Sequence, residues 1–264
     1  MIAKSIKGKS TSAIQLALEQ SMTDGFKPTL AICFISKSMD RNAISNLLDA
    51  VGISVFGCTT NGEFIDEETD KESAAILLLD MKKEYFHIYF HEFSEPNYRE
   101  AAQEIAKKAK EKFAVPAFFI GLSHHETDGE EVLRGLEDIV GKEVNAFGGG
   151  AGDDYAFKET VVFANGKDSN KAIVCIAIDE TKITVEGITT CGWKAVGTEK
   201  IVTKSEGNHV YTVDNVPVLD LTAKYGGLED VTPENKNLLL EIASSLPLQL
   251  QREKGDPVMR PGLM

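Results

Sequence analysis

The chain has 264 residues, with 28 basic and 41 acidic side chains and a formal charge of −13. That excess of carboxylates argues against a nucleic-acid binder and against docking on an acidic membrane, since both partners require a basic face. The length gives room for one large domain or two modest ones. No apolar run approaches the ~18 residues of a membrane span, and the basic start from Met1 to Ser10 has no apolar segment behind it, which predicts a cytoplasmic protein without a signal peptide.

In chain order, Ile14, Ala17, Leu18 and Met22 share one face behind a Ser10 or Thr11 cap, which predicts a helix over 11–21. Leu30 to Ile35 is a short apolar run, the pattern of a strand buried on both faces. Ser38 to Val51 again has helical spacing and ends at Gly52. Ile53 to Phe56 is a strand leading into Gly57-Cys58-Thr59-Thr60-Asn61-Gly62-Glu63. After a polar connection from Ile65 to Glu72, Ala74–Leu79 and Tyr85–Phe90 read as an antiparallel pair. Asn97 with Glu100 has capping-box spacing before a helix faced by Ala101, Ala102, Ile105, Ala106 and Ala109.

Pro116 begins a strand to Leu122, and Asp128 with Glu131 caps a helix faced by Val132, Leu133, Leu136, Ile139 and Val140. Val144 to Phe147 is a strand that leads into Gly148-Gly149-Gly150-Ala151-Gly152-Asp153-Asp154. Val161–Ala164 followed by Asn165-Gly166 is a hairpin signal, and the runs 172–178 and 183–188 read as strands. Past Trp193 the pattern changes to short strands up to Val218, a helix over 219–225 ending at Gly226-Gly227, and a helix from Thr232 with Pro233 at its first position. The pieces at 246–250 and from 258 onward look like strands without partners.

The order helix, strand, helix, strand, glycine loop, strands thus occurs twice, over about 10–93 and 97–192. Leu30 matches Ala117, Phe56 matches Phe147, and the run 74–80 matches 172–179. The expected fold is α/β: mixed, largely layered sheets from two pseudo-repeated α-β-α-β-loop-β-β units. This domain, 1–192, would be followed by a partial α+β domain over 193–264, with the chain stopping inside it.

The two loops, FGCTTNGEF at 56–64 and FGGGAGDD at 147–154, resemble the N-terminal domain of the FIST family (F-box and intracellular signal transduction proteins). VYTVDNVPVLDLTAKYGG at 210–227 resembles the opening of that family's C-terminal domain, and LPLQL at 246–250 with VMRPGL at 258–263 is similar to its next segments more loosely. The resemblance covers nearly the whole chain. It implies a sensory domain in signal transduction that binds a small ligand, with amino acids as the suggested ligands, and that passes the signal to a downstream protein. It implies no cofactor.

The residues themselves point to a cleft between the two loops. Backbone amides of Gly57, Gly148, Gly149 and Gly150 can form an anion nest without a cationic side chain. Thr59, Thr60 and Asn61 add hydrogen-bonding groups, and Glu63, Asp153 and Asp154 can receive an ammonium. Ser123 and His124, with His125 and Glu126, follow a strand that should end at the level of the second loop, and Lys37 is the corresponding cation in the first half. His124 and His125 are adjacent on a turn and point apart, which favours ligand contact over a shared metal ion. Cys58 offers a different chemistry, a Cys-dependent hydrolase or transferase with His124 or His125 as base. Cys33, Cys58, Cys175 and Cys191 form no C-x-x-C pair, so reduced, buried thiols are the simpler expectation. The glycine run lacks the spacing and the terminal Lys-Ser or Lys-Thr of a P-loop. A third reading leaves the loops as turns of an interaction module.

Overall fold

The computed structural model describes all residues except 67, 95, 125–126, 157, 189–191, 208, 229–231, 233–237, 239–245, 252–256 and 261–264. It divides into two compact units, Met1–Ile188 and Thr189–Met264.

The first unit runs β1 (Ala3–Gly8), α1 (Thr11–Ser21), β2 (Leu30–Ser36), α2 (Arg41–Ala50), β3 (Ser54–Thr60), the hairpin β4 (Glu63–Ile65) and β5 (Glu68–Asp70), and β6 (Ala74–Leu79). It continues with β7 (Phe86–Glu92), α3 (Tyr98–Lys112), β8 (Pro116–Leu122), α4 (Gly129–Val140), β9 (Ala146–Gly150), the hairpin β10 (Val162–Ala164) and β11 (Lys167–Ser169), and β12 (Ala172–Asp179). The class is mixed α/β, as the sequence predicts. One sheet has the order β1-β6-β2-β3-β10-β11 and the other β7-β12-β8-β9.

The first four strands of one sheet match the four of the other. In each set the first two pairings are antiparallel and the third is parallel. The duplication is therefore visible in the topology, but its phase differs from the sequence-based one. The unit is β-α-β-α-β-hairpin-β and begins at a strand. Ala3-Lys4-Ser5-Ile6-Lys7-Gly8 buries only Ile6, so this edge strand carries no apolar run to detect. The expected pairing of 74–79 with 85–90 is corrected for the same reason. β6 has both of its edges taken by β1 and β2, and β7 belongs to the other sheet, where it pairs with β12.

Three buried clusters define the layers. Ile14, Leu18, Ile44 and Leu48 of α1 and α2 pack on Ile35, Val55 and Ile76 of the first sheet. Ala102, Ile105, Val132 and Leu136 of α3 and α4 pack on Phe118, Ile120 and Ile173 of the second. The remaining faces meet through Leu30, Phe56 and Val162 on one side and Phe86, Val174 and Ile176 on the other. The order of layers is helices, sheet, sheet, helices. Apart from Phe34 on β2, the central strands are mostly dry on both faces, which is why they read as continuous apolar runs rather than alternating ones. Each such side chain contributes about 1.5–3 kcal/mol by leaving water.

Helix starts follow local chemistry. The Ser10 and Asp40 side chains accept from the N–H groups of Ala13 and Ala43, and Asp128 accepts from those of Glu130 and Glu131. Asn97 precedes α3 without a side-chain cap bond, so the expected capping box does not form there. The stretch 183–188 is not a strand. It crosses the start of β9, where Gly187 lies against the Phe147 ring and the Asn145 amide donates to the Val185 carbonyl at 3.4 Å.

In the second unit, β13 (Val202–Glu206), β14 (His209–Val213) and β15 (Val216–Pro217) form an antiparallel meander before α5 (Val218–Gly226), which Gly227 ends with a left-handed φ of 64°. β16 (Leu248–Leu250) and β17 (Val258–Arg260), the two pieces expected to lack partners, pair antiparallel with each other. The helix expected from Thr232 and Pro233 lies mostly outside the described residues, as does Cys191. Among the described residues, no helix is long and apolar enough to cross a membrane.

The hairpin β10–β11 leaves its own repeat and adds to the other sheet, with Val162 opposite Cys58, Phe163 opposite Gly57 and Ala164 opposite Phe56. A Cβ on Gly57 would come within 2.0 Å of the Phe163 ring. Gly57→Ala is expected to lower stability by about 1–3 kcal/mol through overpacking. A Phe163→Leu change made together with it should recover part of that loss in denaturant titrations; simple additivity of the two single losses would contradict the contact.

Candidate functional site

The structure brings the two glycine stretches together. Gly152 N–H donates to the Thr59 carbonyl at 2.7 Å and Asp154 N–H to the Thr60 carbonyl at 3.1 Å. The Asn61 side-chain oxygen accepts from Asp153 N–H at 2.9 Å and from Tyr155 N–H at 3.2 Å. A Cβ on Gly152 would lie 2.5 Å from that oxygen, so this close approach requires glycine. The turn is completed by Asp154 and Tyr155, both left-handed at φ 57° and 61°, and by the Ser36 hydroxyl donating to the Asp154 carboxylate at 2.8 Å.

Beside this clasp, within the first unit, lies a cleft of about 490 Å³ between the sheets. Phe34, Phe56 and Cys58 line it from the first sheet, with Thr59, Thr60, Asn61 and Gly62 above them. Phe119, Ile120, Gly148, Gly149, Gly150 and Gly152 line it from the second repeat. Registers explain the arrangement: Phe34 sits opposite Cys58 across the β2–β3 pair, and Gly121 sits opposite Gly149 across the β8–β9 pair. The Phe56 and Phe119 rings close the inner end with centroids 5.1 Å apart. A Cβ on Gly121 would be 2.4 Å from the Cys58 sulfur, so that glycine is a packing requirement. Gly149 and Gly150 are different. Neither has a positive φ, and among the described residues nothing lies within 4 Å of an added Cβ. Their bare backbone leaves the cleft open.

The second stretch is not the anion nest expected from its sequence. Gly148, Gly149 and Gly150 belong to strand β9 beside β8, and successive amides of a strand face opposite ways instead of converging.

The expected site residues divide into two groups. Cys58, Thr59, Thr60, Asn61, Gly148, Gly149 and Gly150 line the cleft; Gly57, Glu63, Ser123, His124, Asp153 and Asp154 do not. Those outside it have structural work. Glu63 is buried, and its carboxylate accepts from the Thr60 hydroxyl and from the Ser73 N–H and hydroxyl. Asp153 is buried and accepts from the N–H groups of Lys158 and Glu159 at 2.7 and 3.0 Å. Ser123 ties β8 to β12 through both backbone groups of Ala172. Lys37 donates to the Glu159 carbonyl at 3.0 Å. His124 has a φ of 74° and donates its N–H to the Thr160 hydroxyl; its buried Nδ1 has no partner among the described residues. His125 and Glu126 lie outside the described residues, and among those described no cluster of three metal-ligating side chains occurs.

Burial pushes the Cys58 thiol up to about 12. Cys33 and Cys175 are raised as well, each mainly by burial. The aromatic walls Phe34 and Phe119 were not legible as site residues, because they sit in apolar runs that read as core. Only the register that places Phe34 beside Cys58 reveals its role.

A second hollow, about 330 Å³, is lined by Ile2, Asp24, Gly25, Phe26, Lys27 and Asp80. Its carboxylates are already taken, Asp24 by Lys4 and Asp80 by the Ile2 N–H.

Fold and cleft together define a duplicated α/β sandwich with an apolar, glycine-floored cleft where the repeats meet. The chain belongs to the FIST family: residues 29–216 match the FIST N domain, a sensory domain associated with signal transduction. The match extends past Thr189, where the second unit begins. A comparison with curated proteins finds no match.

Two outcomes follow from the side-chain partners. At pH 8 iodoacetamide should leave Cys58 unmodified in the folded protein and modify it after urea denaturation, as followed by peptide mass mapping, because a thiolate forms only as pH approaches about 12. Rapid labelling of native Cys58 would show an activated thiol. Glu63→Gln replaces one acceptor oxygen by a donor facing Thr60 or Ser73, and it should cost about 1–3 kcal/mol of stability.

Proposed function

We propose that this chain is a sensory domain that binds a small ligand in the inter-sheet cleft and passes its occupancy to a signalling partner. The observation that carries the reading is the pair Gly149–Gly150. These are two exposed glycines that neither backbone conformation nor packing requires, at the floor of a cleft walled by Phe34, Phe56 and Phe119. Small, concave, mostly apolar sites with a few polar groups are the usual form of ligand pockets.

Amino acids with apolar side chains fit this lining. The side chain would lie among the phenylalanine rings. Backbone N–H groups and the Asn61 amide would meet the carboxylate, and backbone carbonyls the ammonium. Glu63 and Asp153 are not the ammonium partners in this reading, since their oxygens already accept several bonds. The high thiol pKa of Cys58 weighs against hydrolase chemistry. The resemblance of 210–227 to the opening of a C-terminal FIST domain supports assigning 193–264 to a second domain of that family. Ligand binding would bias the clasp between Asn61 and Asp153–Tyr155 only so far as affinity differs between its two states.

The test is a thermal-shift panel of free amino acids on the wild-type chain and on Gly149→Leu. The variant should fold normally, since no described atom lies within 4 Å of the added Cβ. A ligand at a hundredfold excess over its Kd should raise the wild-type Tm by about 5–10 °C, and the rise should vanish in the variant. An equal rise in both proteins would place the ligand elsewhere. No rise with any amino acid would favour an interaction module.

A further inference from the structure

The two sheets differ in one respect that the duplication makes measurable. On the first sheet the outer edge of β3 is covered by β10, and Thr59 N–H donates to the Val161 carbonyl at 2.9 Å. On the second sheet β9 is the last strand, because the corresponding hairpin β4–β5 pairs only with itself. Phe118 N–H donates to the Asn145 carbonyl and Ala151 N–H to the Leu122 carbonyl, and the parallel ladder alternates between them. That alternation turns the N–H and C=O groups of Gly148 and Gly150 away from β8. Gly148, Gly149 and Gly150 are exposed, and those outward groups have no hydrogen-bond partner among the described residues.

The other edges of these two sheets carry charges that discourage strand addition: Lys4 and Lys7 on β1, Lys167 and Asp168 on β11, Glu92 on β7. β9 has no charged side chain.

We infer that the edge of β9 is a docking site for a short extended peptide, which adds as an antiparallel strand and places one apolar side chain in the cleft. The inference rests on the cleft reading above and narrows its ligand to a peptide main chain. The first sheet supplies the template. Ile32 opposite Phe56 and Phe119 opposite Phe147 align the repeats, so Gly57 corresponds to Gly148, Cys58 to Gly149 and Thr59 to Gly150. On β3, Val162 lies opposite Cys58 and enters the core between the sheets, while Phe163 lies opposite Gly57. A peptide on β9 would therefore turn the residue opposite Gly149 into the cleft. Its neighbours would exchange paired backbone bonds with Gly148 and Gly150. Main-chain pairing supplies affinity and the pocket supplies selectivity, as in other strand-addition complexes.

The probe is N-acetyl Thr-Val-Val-Phe-Ala amide, the sequence of residues 160–164, titrated calorimetrically into the full chain. Saturable binding is expected. N-methylation of the first Val or of the Phe, which face Gly150 and Gly148, should weaken it about tenfold or more. N-methylation of the central Val, whose N–H points away, should change it less than about twofold, and Gly149→Leu should abolish it. Absence of peptide binding, or equal tolerance of all three methylations, would overturn the inference. So would a concentration-dependent dimer that Gly149→Leu dissociates and the peptide does not compete, since that would assign the edge to a second copy. A free amino acid whose thermal shift is lost in Gly149→Leu, with no peptide binding, would leave the cleft reading standing and remove only this inference. Loss of both would remove both.

Discussion

Phe163 lies across Gly57, and through that contact the second repeat completes the sheet of the first. The placement of the cleft depends on it. Because β10–β11 covers β3, the first sheet has six strands and a closed edge beside the clasp; because no hairpin returns the exchange, the second sheet ends at β9. Two repeats of one topology thus differ where they meet, and the difference exposes three glycines next to aromatic walls.

The recognition proposed for this cleft would rely little on charge. The chain carries a net charge of −13, yet among the described residues no Lys or Arg lines the cleft. The nearby carboxylates Glu63 and Asp153 are buried as organisers of turns, accepting from Ser73 and from Lys158 and Glu159. Their role resembles that of a helix cap: a short acidic side chain gathers backbone N–H groups that would otherwise be left without partners. What remains for a ligand is backbone, the Asn61 amide and apolar surface.

The sequence made the layers legible because strands dry on both faces appear as apolar runs and helices with one dry face appear with a period near 3.6. Leu30–Ile35 and Ala172–Ile178 are of the first kind. It also showed the two glycine stretches, which the structure brings together through Thr59 and Gly152. The phase of the repeat was hidden because β1 buries a single residue, and the sheet membership of β6 and β7 was hidden because pairing is a long-range property that a short connection does not determine. Phe34 and Phe119 were hidden because an aromatic ring in a strand carries the same signal whether it meets core or cavity. The acids of the two loops were visible, but their partners were not, since Ser73 and Lys158 come from outside the motifs.

One repeat taken alone would present its sheet with helices on one face and a bare apolar face on the other, Phe56, Val174 and their neighbours in water. Such a half could persist only by meeting another half. The crossing of β10–β11 is the bond that two separate chains make when they exchange an identical arm. Within one chain, then, two halves of one topology cover each other's apolar faces, with one hairpin crossing to the neighbouring sheet and the other pairing with itself.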